Sequence, residues 1–108
     1  MSKYADYKTN TVEWDNLNEL LSEAKKTYQR GMKVATKEFD FELEDECEHL
    51  KKNYKKIRRA ITLKNSIDEQ LRQKLDIKDV ISNIILVETD INIINFHLRT
   101  EYGIEKED

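Results

Sequence analysis

Apolar residues recur every three or four positions along most of the chain, which is the spacing of one face of an α-helix. Asn10 or Thr11 is a candidate N-cap for the first helix. Gly31 is a candidate stop, because glycine adopts the left-handed conformation at low cost. These signals predict a first helix that ends near residue 31. Its apolar face comprises Trp14, Leu17, Leu21, Ala24 and Tyr28.

Two further apolar sets predict helices in the rest of the chain. A capping box of Ser66 and Glu69 predicts a short helix through Leu75. Asp76 is a candidate N-cap and Gly103 a candidate stop for a last helix. A heptad-like seam predicts another helix, which precedes these two in the chain. The seam comprises Leu43, Cys47, Leu50, Tyr54, Ile57 and Ile61. The last helix has a wide apolar face that comprises Ile77, Val80, Ile81, Ile84, Ile85, Ile91, Ile94 and Leu98.

Residues 38–44 fit two patterns. Phe39, Phe41 and Leu43 alternate with acidic residues, which is the period of a β-strand. The same segment also continues a helical stripe that passes through Ala35. A strand would need a partner, and the β-branched residues within 80–98 are the candidates. We predict an all-α bundle of three to four helices, with an α+β fold that pairs 38–44 with a strand inside 80–98 as the alternative.

Composition narrows the class of fold. The chain has 108 residues, no proline and two glycines, which are too few turn residues for a sandwich or barrel. This length predicts one domain over 1–108, with 1–10 and 103–108 as loose tails. A single cysteine excludes an internal disulfide, and the first residues lack a signal-peptide pattern, so we expect a cytoplasmic protein. Glu88 and Asp90 interrupt the most apolar stretch and argue against a membrane span.

Charge is segregated along the chain, although the net charge is only −3. Residues 38–50 carry seven acidic groups and no basic group, whereas residues 51–64 carry seven basic groups and no acidic group. The helix dipole favours acids at a helix start and bases at its end. Like-charge neighbours such as Lys51 and Lys55 nevertheless repel one another on a helix. The two blocks are therefore either a solvated helix face or binding surfaces.

The acidic block is the first candidate for partner binding, because a basic groove on another protein would attract it. It comprises Glu42, Glu44, Asp45, Glu46 and Glu48. The basic block is the alternative, as a contact for nucleic-acid phosphates. It comprises Lys51, Lys52, Lys55, Lys56, Arg58 and Arg59.

Patterns for catalysis and metal binding are incomplete. Glu46 and His49 form half of a di-iron helix motif, but Ile94 stands where His97 would need a second glutamate. Cys47 lies on the apolar seam between two acidic neighbours, where a thiolate is disfavoured. We expect no catalytic residue, no metal and no cofactor.

The sequence therefore predicts a non-enzymatic helical module that docks on another protein, for example one that handles nucleic acid. Such a module would be a regulator, inhibitor or accessory factor. The bias towards lysine, isoleucine and asparagine is typical of AT-rich genomes, such as those of low-GC bacteria and their phages. Self-association through the 43–61 or 77–98 face is a further expectation. The alternative is a nucleic-acid-binding accessory protein that uses 51–59, and a small helical enzyme is the third hypothesis.

Overall fold

Three long helices carry most of the chain in the computed structural model, which describes residues 2–106. They pack side by side, and a short helix lies in the link between the second and the last of them. The predicted all-α bundle is confirmed. Among the described residues the elements are β1 (Ala5–Asp6), β2 (Thr11–Val12), a 3-10 turn (Trp14–Asn16), α1 (Leu17–Glu38), α2 (Phe41–Lys64), α3 (Glu69–Gln73) and α4 (Ile77–Tyr102).

The helix ends follow local capping chemistry. Asp40 Oδ1 accepts a hydrogen bond of 3.0 Å from the backbone N–H of Leu43 and so caps α2. Asp76 caps α4 in the same way, as predicted, through the N–H of Lys78. Gly103 has a φ of 66° and ends α4, which confirms the predicted stop.

The predicted end of the first helix at Gly31 is wrong, because α1 continues to Glu38. Gly31 is buried where α1 meets α2 and α4. A Cβ atom at this position would lie 2.5 Å from Cys47 Sγ and 3.1 Å from Ile94 Cγ2. Glycine therefore allows a close approach of three helices here and does not end one.

The core lies between the inner faces of α1, α2 and α4, and α4 also contacts both strands. The predicted seam of α2 faces inward, with only Tyr54 and Ile61 half-buried. Burial of this many aliphatic side chains is the main source of stability. The most fully buried large side chains are Leu17, Leu20, Leu43, Leu50, Ile57, Ile81, Ile84, Val87, Ile94 and Leu98.

The first residues form a hairpin and are not a loose tail. β1 and β2 pair antiparallel, with Ala5 opposite Val12. Tyr4, Ala5 and Val12 are buried in the core. Ser2 Oγ also donates to Glu88 Oε1 over 2.5 Å, which ties the hairpin to α4. These apolar contacts hold the hairpin against α4, where it covers one side of the bundle.

Two other local predictions need correction. Residues 38–44 form the end of α1, a turn and the first turn of α2, and 80–98 is helical, so the alternative strand pair is not formed. Asp68, rather than Ser66, caps α3 through the N–H of Gln70. Ser66 Oγ instead accepts from the N–H of Asp68. In both places an aspartate, Asp40 or Asp68, accepts a hydrogen bond from a nearby backbone N–H and so sets where the helix begins.

The C-terminal segment follows α4 back onto the bundle. Ile104 is half-buried, and its N–H donates to the carbonyl oxygen of Leu98 over 3.0 Å. Lys106 forms an ion pair with Glu23 of α1. The expected loose tail 103–108 is thus anchored as far as residue 106, and residues 1, 107 and 108 lie outside the described residues. No helix in the described part of the chain is long and apolar enough to cross a membrane.

Candidate functional site

The start of α2 presents acidic side chains beside two exposed phenylalanines. Phe41, Glu44, Asp45 and Glu48 are spaced by three and four residues and therefore line up on one side of the helix. Phe39 precedes them in the turn. Phe39 and Phe41 are 79% and 72% exposed. We call these five residues the acidic face.

Phe39 adopts a left-handed backbone conformation, with φ 52° and ψ 38°. It ends α1, and the N–H of the next residue, Asp40, donates to the carbonyl oxygen of Ala35 over 3.0 Å. Helices commonly end in this way on glycine or asparagine. A phenylalanine costs about 1 kcal/mol or more at such a position. Its ring is 79% exposed, so burial of the side chain does not offset this cost.

The structure divides the predicted acidic block. Glu44, Asp45 and Glu48 belong to the acidic face, with Asp45 and Glu48 exposed and Glu44 half-buried. Glu42 is exposed at the edge that faces α4, beside His97. Glu46 turns inward, where its Oε1 lies 2.9 Å from His97 Nδ1. Four of the five predicted acids thus remain on the surface.

Glu46 belongs to a polar cluster around His97. The other ring nitrogen, Nε2, lies 2.8 Å from Asp40 Oδ2, and Tyr102 Oη donates to the same oxygen over 2.6 Å. The side chains of His97, Asp40 and Glu46 are only 12%, 15% and 20% exposed. Two carboxylates therefore flank one imidazole, which suits a ring that carries protons on both nitrogens.

The pKa values of this cluster shift accordingly. Burial acts to lower the pKa of His97, but the hydrogen bonds and charges of Glu46 and Asp40 outweigh it and raise that pKa above its ordinary value. Hydrogen bonds from Tyr102, from the N–H of Leu43 and from His97 hold the pKa of Asp40 below its ordinary value. Burial raises the pKa of Glu46. The bond to Asp40 raises the pKa of Tyr102 to about 12.

The same cluster contains the one group of potential metal ligands found among residues 2–106. Atoms of Glu42, Glu46 and His97 lie within 4.8 Å of one another. Carboxylate oxygen and imidazole nitrogen suit zinc and related divalent metals. Within this group, His97 is ion-paired with Glu46, and its other nitrogen with Asp40, whereas Glu42 is exposed.

Glu46 and His49, the incomplete metal motif of the sequence, have different partners in the fold. His49 Nδ1 lies 2.8 Å from Asp90 Oδ2 of α4. Asn53, which is buried, donates to the same oxygen over 3.1 Å. This network satisfies the buried carboxylate of Asp90 and explains how an acidic residue fits into the apolar stretch.

The predicted basic residues lie further along α2. Lys52, Lys55, Lys56, Arg58 and Arg59 are exposed and Lys51 is half-buried. None of the six forms an ion pair with another described residue. Lys51, Lys55 and Arg58 line a cavity between α1 and α2, whereas the other three do not.

Cys47 has no exposed surface. Burial, with a smaller effect of neighbouring acids, raises the pKa of its thiol to about 12. A nucleophilic thiolate needs an exposed, electropositive setting. Cys47 therefore fills space beside Gly31 as a small apolar residue.

The faces considered for self-association are mostly used by the core. Leu43, Leu50 and Ile57 are fully buried on α2. On the outer side of α4, Leu86, Ile93 and Phe96 are 40%, 44% and 59% exposed. Self-association stays a prediction, and these three residues are where α4 could support it.

Comparisons with protein-family models, with curated proteins and with solved structures find no match for this chain.

The sequence did not show that Phe39 and Phe41 are exposed or that His97 joins a buried polar cluster. The alternation of the two phenylalanines with acids suggested a strand as one possibility, and the signal that could have placed residue 39 in a turn is Asp40, a residue type that commonly caps helices. His97 contacts residues that precede it by 51 and 57 positions. No local pattern in the sequence can signal a pair so far apart.

Proposed function

We propose that this protein is a non-catalytic interaction module whose acidic face docks on another protein. The partner surface has an apolar pocket for Phe39 and Phe41, with lysines or arginines around it. The observation that carries the proposal is the exposure of these two rings, 79% and 72%, within a row of acidic side chains. Such a role suits a regulator, an inhibitor or an accessory factor.

Aromatic side chains dominate the energetics of many protein interfaces. They bury a large area with few rotatable bonds, and the residues that contribute most to binding often lie at the centre of the contact. Phe39 and Phe41 meet this description, because each exposes most of its surface in the isolated chain. Loss of one such residue commonly costs about 2 kcal/mol of binding free energy or more.

The surrounding acids supply steering and specificity. Glu44, Asp45 and Glu48 form no ion pair with any residue from 2 to 106, so their charges are available to a basic partner. Opposite charge accelerates encounter, and salt weakens this effect. We therefore expect the affinity for the partner to fall as the salt concentration rises.

The environments of the cysteine and the two histidines support the proposal that the module is non-catalytic. Cys47 is buried, with a pKa of about 12. His97 is held between two carboxylates, and His49 contacts the buried Asp90. Neither histidine lies within hydrogen-bond reach of the thiol, so no activated nucleophile is formed by these groups.

The test compares capture of proteins from a lysate of the source organism by immobilised natural and variant chains. Phe39→Asn/Phe41→Asn removes the rings, and Glu44→Lys/Asp45→Lys reverses the charge. The matched controls are Phe96→Asn on α4 and Glu13→Lys/Asp15→Lys near the hairpin, where the altered side chains are largely exposed. Mass spectrometry identifies the retained proteins, and calorimetry with the purified partner measures affinity at about 50 and 200 mM salt.

We expect one protein to be retained by the natural chain and both controls and lost by both acidic-face variants. Its affinity should fall at higher salt. Equal retention by the natural chain and the acidic-face variants would contradict the proposal. Loss with the control variants as well would show that the contact depends on overall charge or stability and would also contradict it.

A further inference from the structure

A groove between α1 and α2 begins where the acidic face ends, since Tyr28 at its edge donates a hydrogen bond to Glu48 Oε1 over 3.4 Å. It encloses a volume of about 270 Å³. Its floor is apolar, and both walls carry long polar side chains. The residues that line it are Ala24, Lys25, Tyr28, Gln29, Leu50, Lys51, Tyr54, Lys55 and Arg58. We call it the cationic groove.

The groove concentrates positive charge, and the nearest acidic contact is Glu48 at its edge, which bonds Tyr28 rather than a cation. Lys25 contributes from α1, and Lys51, Lys55 and Arg58 contribute from α2, while no carboxylate lines it. None of these four cations forms an ion pair with another residue of the described chain. Lys51, Lys55 and Arg58 are three or four residues apart on one helix, where like charges repel. A bound anion would relieve this repulsion.

Two tyrosine rings alternate with these cations. Lys51 Nζ lies 5.7 Å from the centroid of the Tyr28 ring. Arg58 Cζ lies 6.0 Å from the centroid of the Tyr54 ring. Both rings are half-buried between α1 and α2, which fixes their position. The groove thus offers aromatic surfaces and phosphate-binding groups side by side.

A further cation–aromatic contact lies outside the groove. Lys64, at the end of α2, lies 5.1 Å from the centroid of the Trp14 ring. Lys51, Tyr54, Lys55 and Arg58 follow one another along α2, which rises about 5.4 Å per turn. An extended chain of anions could therefore follow the helix and meet a new cation at each turn.

We propose that the cationic groove binds single-stranded nucleic acid. Unstacked bases would lie against Tyr28 and Tyr54, while Lys25, Lys51, Lys55 and Arg58 contact the phosphates. Proteins that bind single strands combine these two features, a positive groove and aromatic surfaces for stacking. This activity is separate from docking of the acidic face on a protein.

A single strand fits the groove better than the other polyanions. The bases of a duplex are stacked on one another and leave no free face for a tyrosine ring. An acidic peptide would use the cations, but it would gain nothing from the two rings. The tyrosines therefore discriminate between these occupants.

The test measures fluorescence anisotropy of labelled probes with the full chain. The probes are single-stranded DNA and RNA of about twelve nucleotides, the corresponding duplex, and a polyglutamate peptide of similar charge. Titrations at about 50 and 200 mM salt give the salt dependence. Comparison of the DNA and RNA arms shows which of the two is preferred.

Three variants connect binding to the groove. Lys55→Glu/Arg58→Glu reverses two cations of the groove. Lys33→Glu/Lys37→Glu makes the same change in net charge on exposed residues of α1 outside it. Tyr54→Leu removes one ring and retains an apolar contact with the core. Circular dichroism confirms that each variant is folded.

We expect both single strands to bind more tightly than the duplex or the peptide. Lys55→Glu/Arg58→Glu should weaken binding at least tenfold and reduce the salt slope by about 0.7 for each lost phosphate contact. Lys33→Glu/Lys37→Glu should change affinity by less than about threefold, since these residues lie outside the groove. Tyr54→Leu should weaken binding several-fold and leave the salt slope unchanged, because stacking releases no counterions.

The proposal would be overturned if neither single-stranded DNA nor single-stranded RNA bound at the lower salt concentration. Equal weakening by the two charge-reversal variants, or duplex binding as tight as that of the single strands, would also overturn it. Preference for polyglutamate would assign the groove to an acidic peptide instead. None of these outcomes affects docking of the acidic face, which is tested with different variants.

Discussion

Phe39 and Phe41 are both exposed. Of the two, only Phe39 has a positive φ, which is 52°. The left-handed conformation brings Cβ close to a carbonyl oxygen in residues other than glycine. Asparagine tolerates this conformation because its short polar side chain bonds locally. Phe39 is therefore a residue at which the stability of the isolated chain and the proposed docking have opposite requirements.

Phe39→Asn should raise the free energy of unfolding by about 0.5–1 kcal/mol, because backbone strain falls and almost no burial is lost. Urea denaturation of the natural and variant chains measures the change. Phe41→Asn is the control, since the same substitution there relieves no left-handed strain and should give no gain. A lower stability for Phe39→Asn would contradict the interpretation of Phe39 as strained.

His97 contacts two carboxylates directly, so its protonation affects the stability of the fold. Asp40, Glu46 and Tyr102 contact or stack against it, and Glu42 lies at the edge of the same cluster. Its folded-state pKa exceeds its ordinary value of 6.5. The stabilisation is therefore complete below that ordinary value and is lost as the pH rises through the folded-state pKa.

The free energy of unfolding should decline as the pH rises from about 6.5. His97→Gln should remove most of this decline, because the neutral amide does not titrate. His49→Gln is the control that retains the His97 cluster, and it should keep the decline. Denaturant titrations across this pH range provide the measurement. An identical pH profile for the natural chain and His97→Gln would show that His97 is not the responsible group.

Gly31 sets the distance between three helices. A side chain at this position meets Cys47 of α2 and Ile94 of α4, so α1 can approach both only with a hydrogen atom there. Glycine within a helix costs about 1 kcal/mol relative to alanine. The close packing of α1 against its two neighbours offsets this cost.

Gly31→Ala should lower the free energy of unfolding by about 1–3 kcal/mol, because the added methyl group overpacks the core. In a Cys47→Ala background the nearest obstacle, Sγ at 2.5 Å, is absent and the same substitution should cost less. A double-mutant cycle by denaturant unfolding measures this coupling. Additive effects of the two substitutions would mean that Gly31 and Cys47 do not restrict each other.

The long helices could be predicted from sequence, but both ends of α1 could not, because Asn10 and Thr11 lie in the hairpin and the helix runs from Leu17 to Glu38. Asp76 and Gly103, at the two ends of α4, are ends that could be predicted because one local cap satisfies the backbone. The hairpin could not be predicted, since each strand has only two residues and shows no period. The prediction for Gly31 was wrong because the sequence does not distinguish a glycine that ends a helix from one that lets two helices pack closely.

The candidate surfaces could be predicted only in part. The separation of acidic and basic residues along α2 was visible in the sequence. Which acids remain exposed was not visible, because Glu46 turns towards a histidine on another helix. The cationic groove was not visible either, because two helices form it. Lys25 and Tyr28 come from α1, and Lys51, Lys55 and Arg58 come from α2.

At the scale of the whole molecule, α2 arranges the two proposed surfaces in sequence along its length. The helix has 24 residues and is therefore about 36 Å long. Its first turns carry the acidic face, and its later turns carry the cationic groove. The molecule measures 47 × 25 × 20 Å, so the two surfaces occupy different parts of an elongated body. A protein and a nucleic acid could occupy these surfaces together, and each would be sensitive to salt.

The complete burial of Cys47 gives the natural chain its own reporter of unfolding. It is the single cysteine in the sequence, and its thiol has no exposed surface. An alkylating reagent can reach it only when the helices around it separate. The rate of alkylation therefore reports how often the core opens, without any added label. Ligands that bind the folded chain should slow this reaction, so one cysteine can register occupancy of either surface.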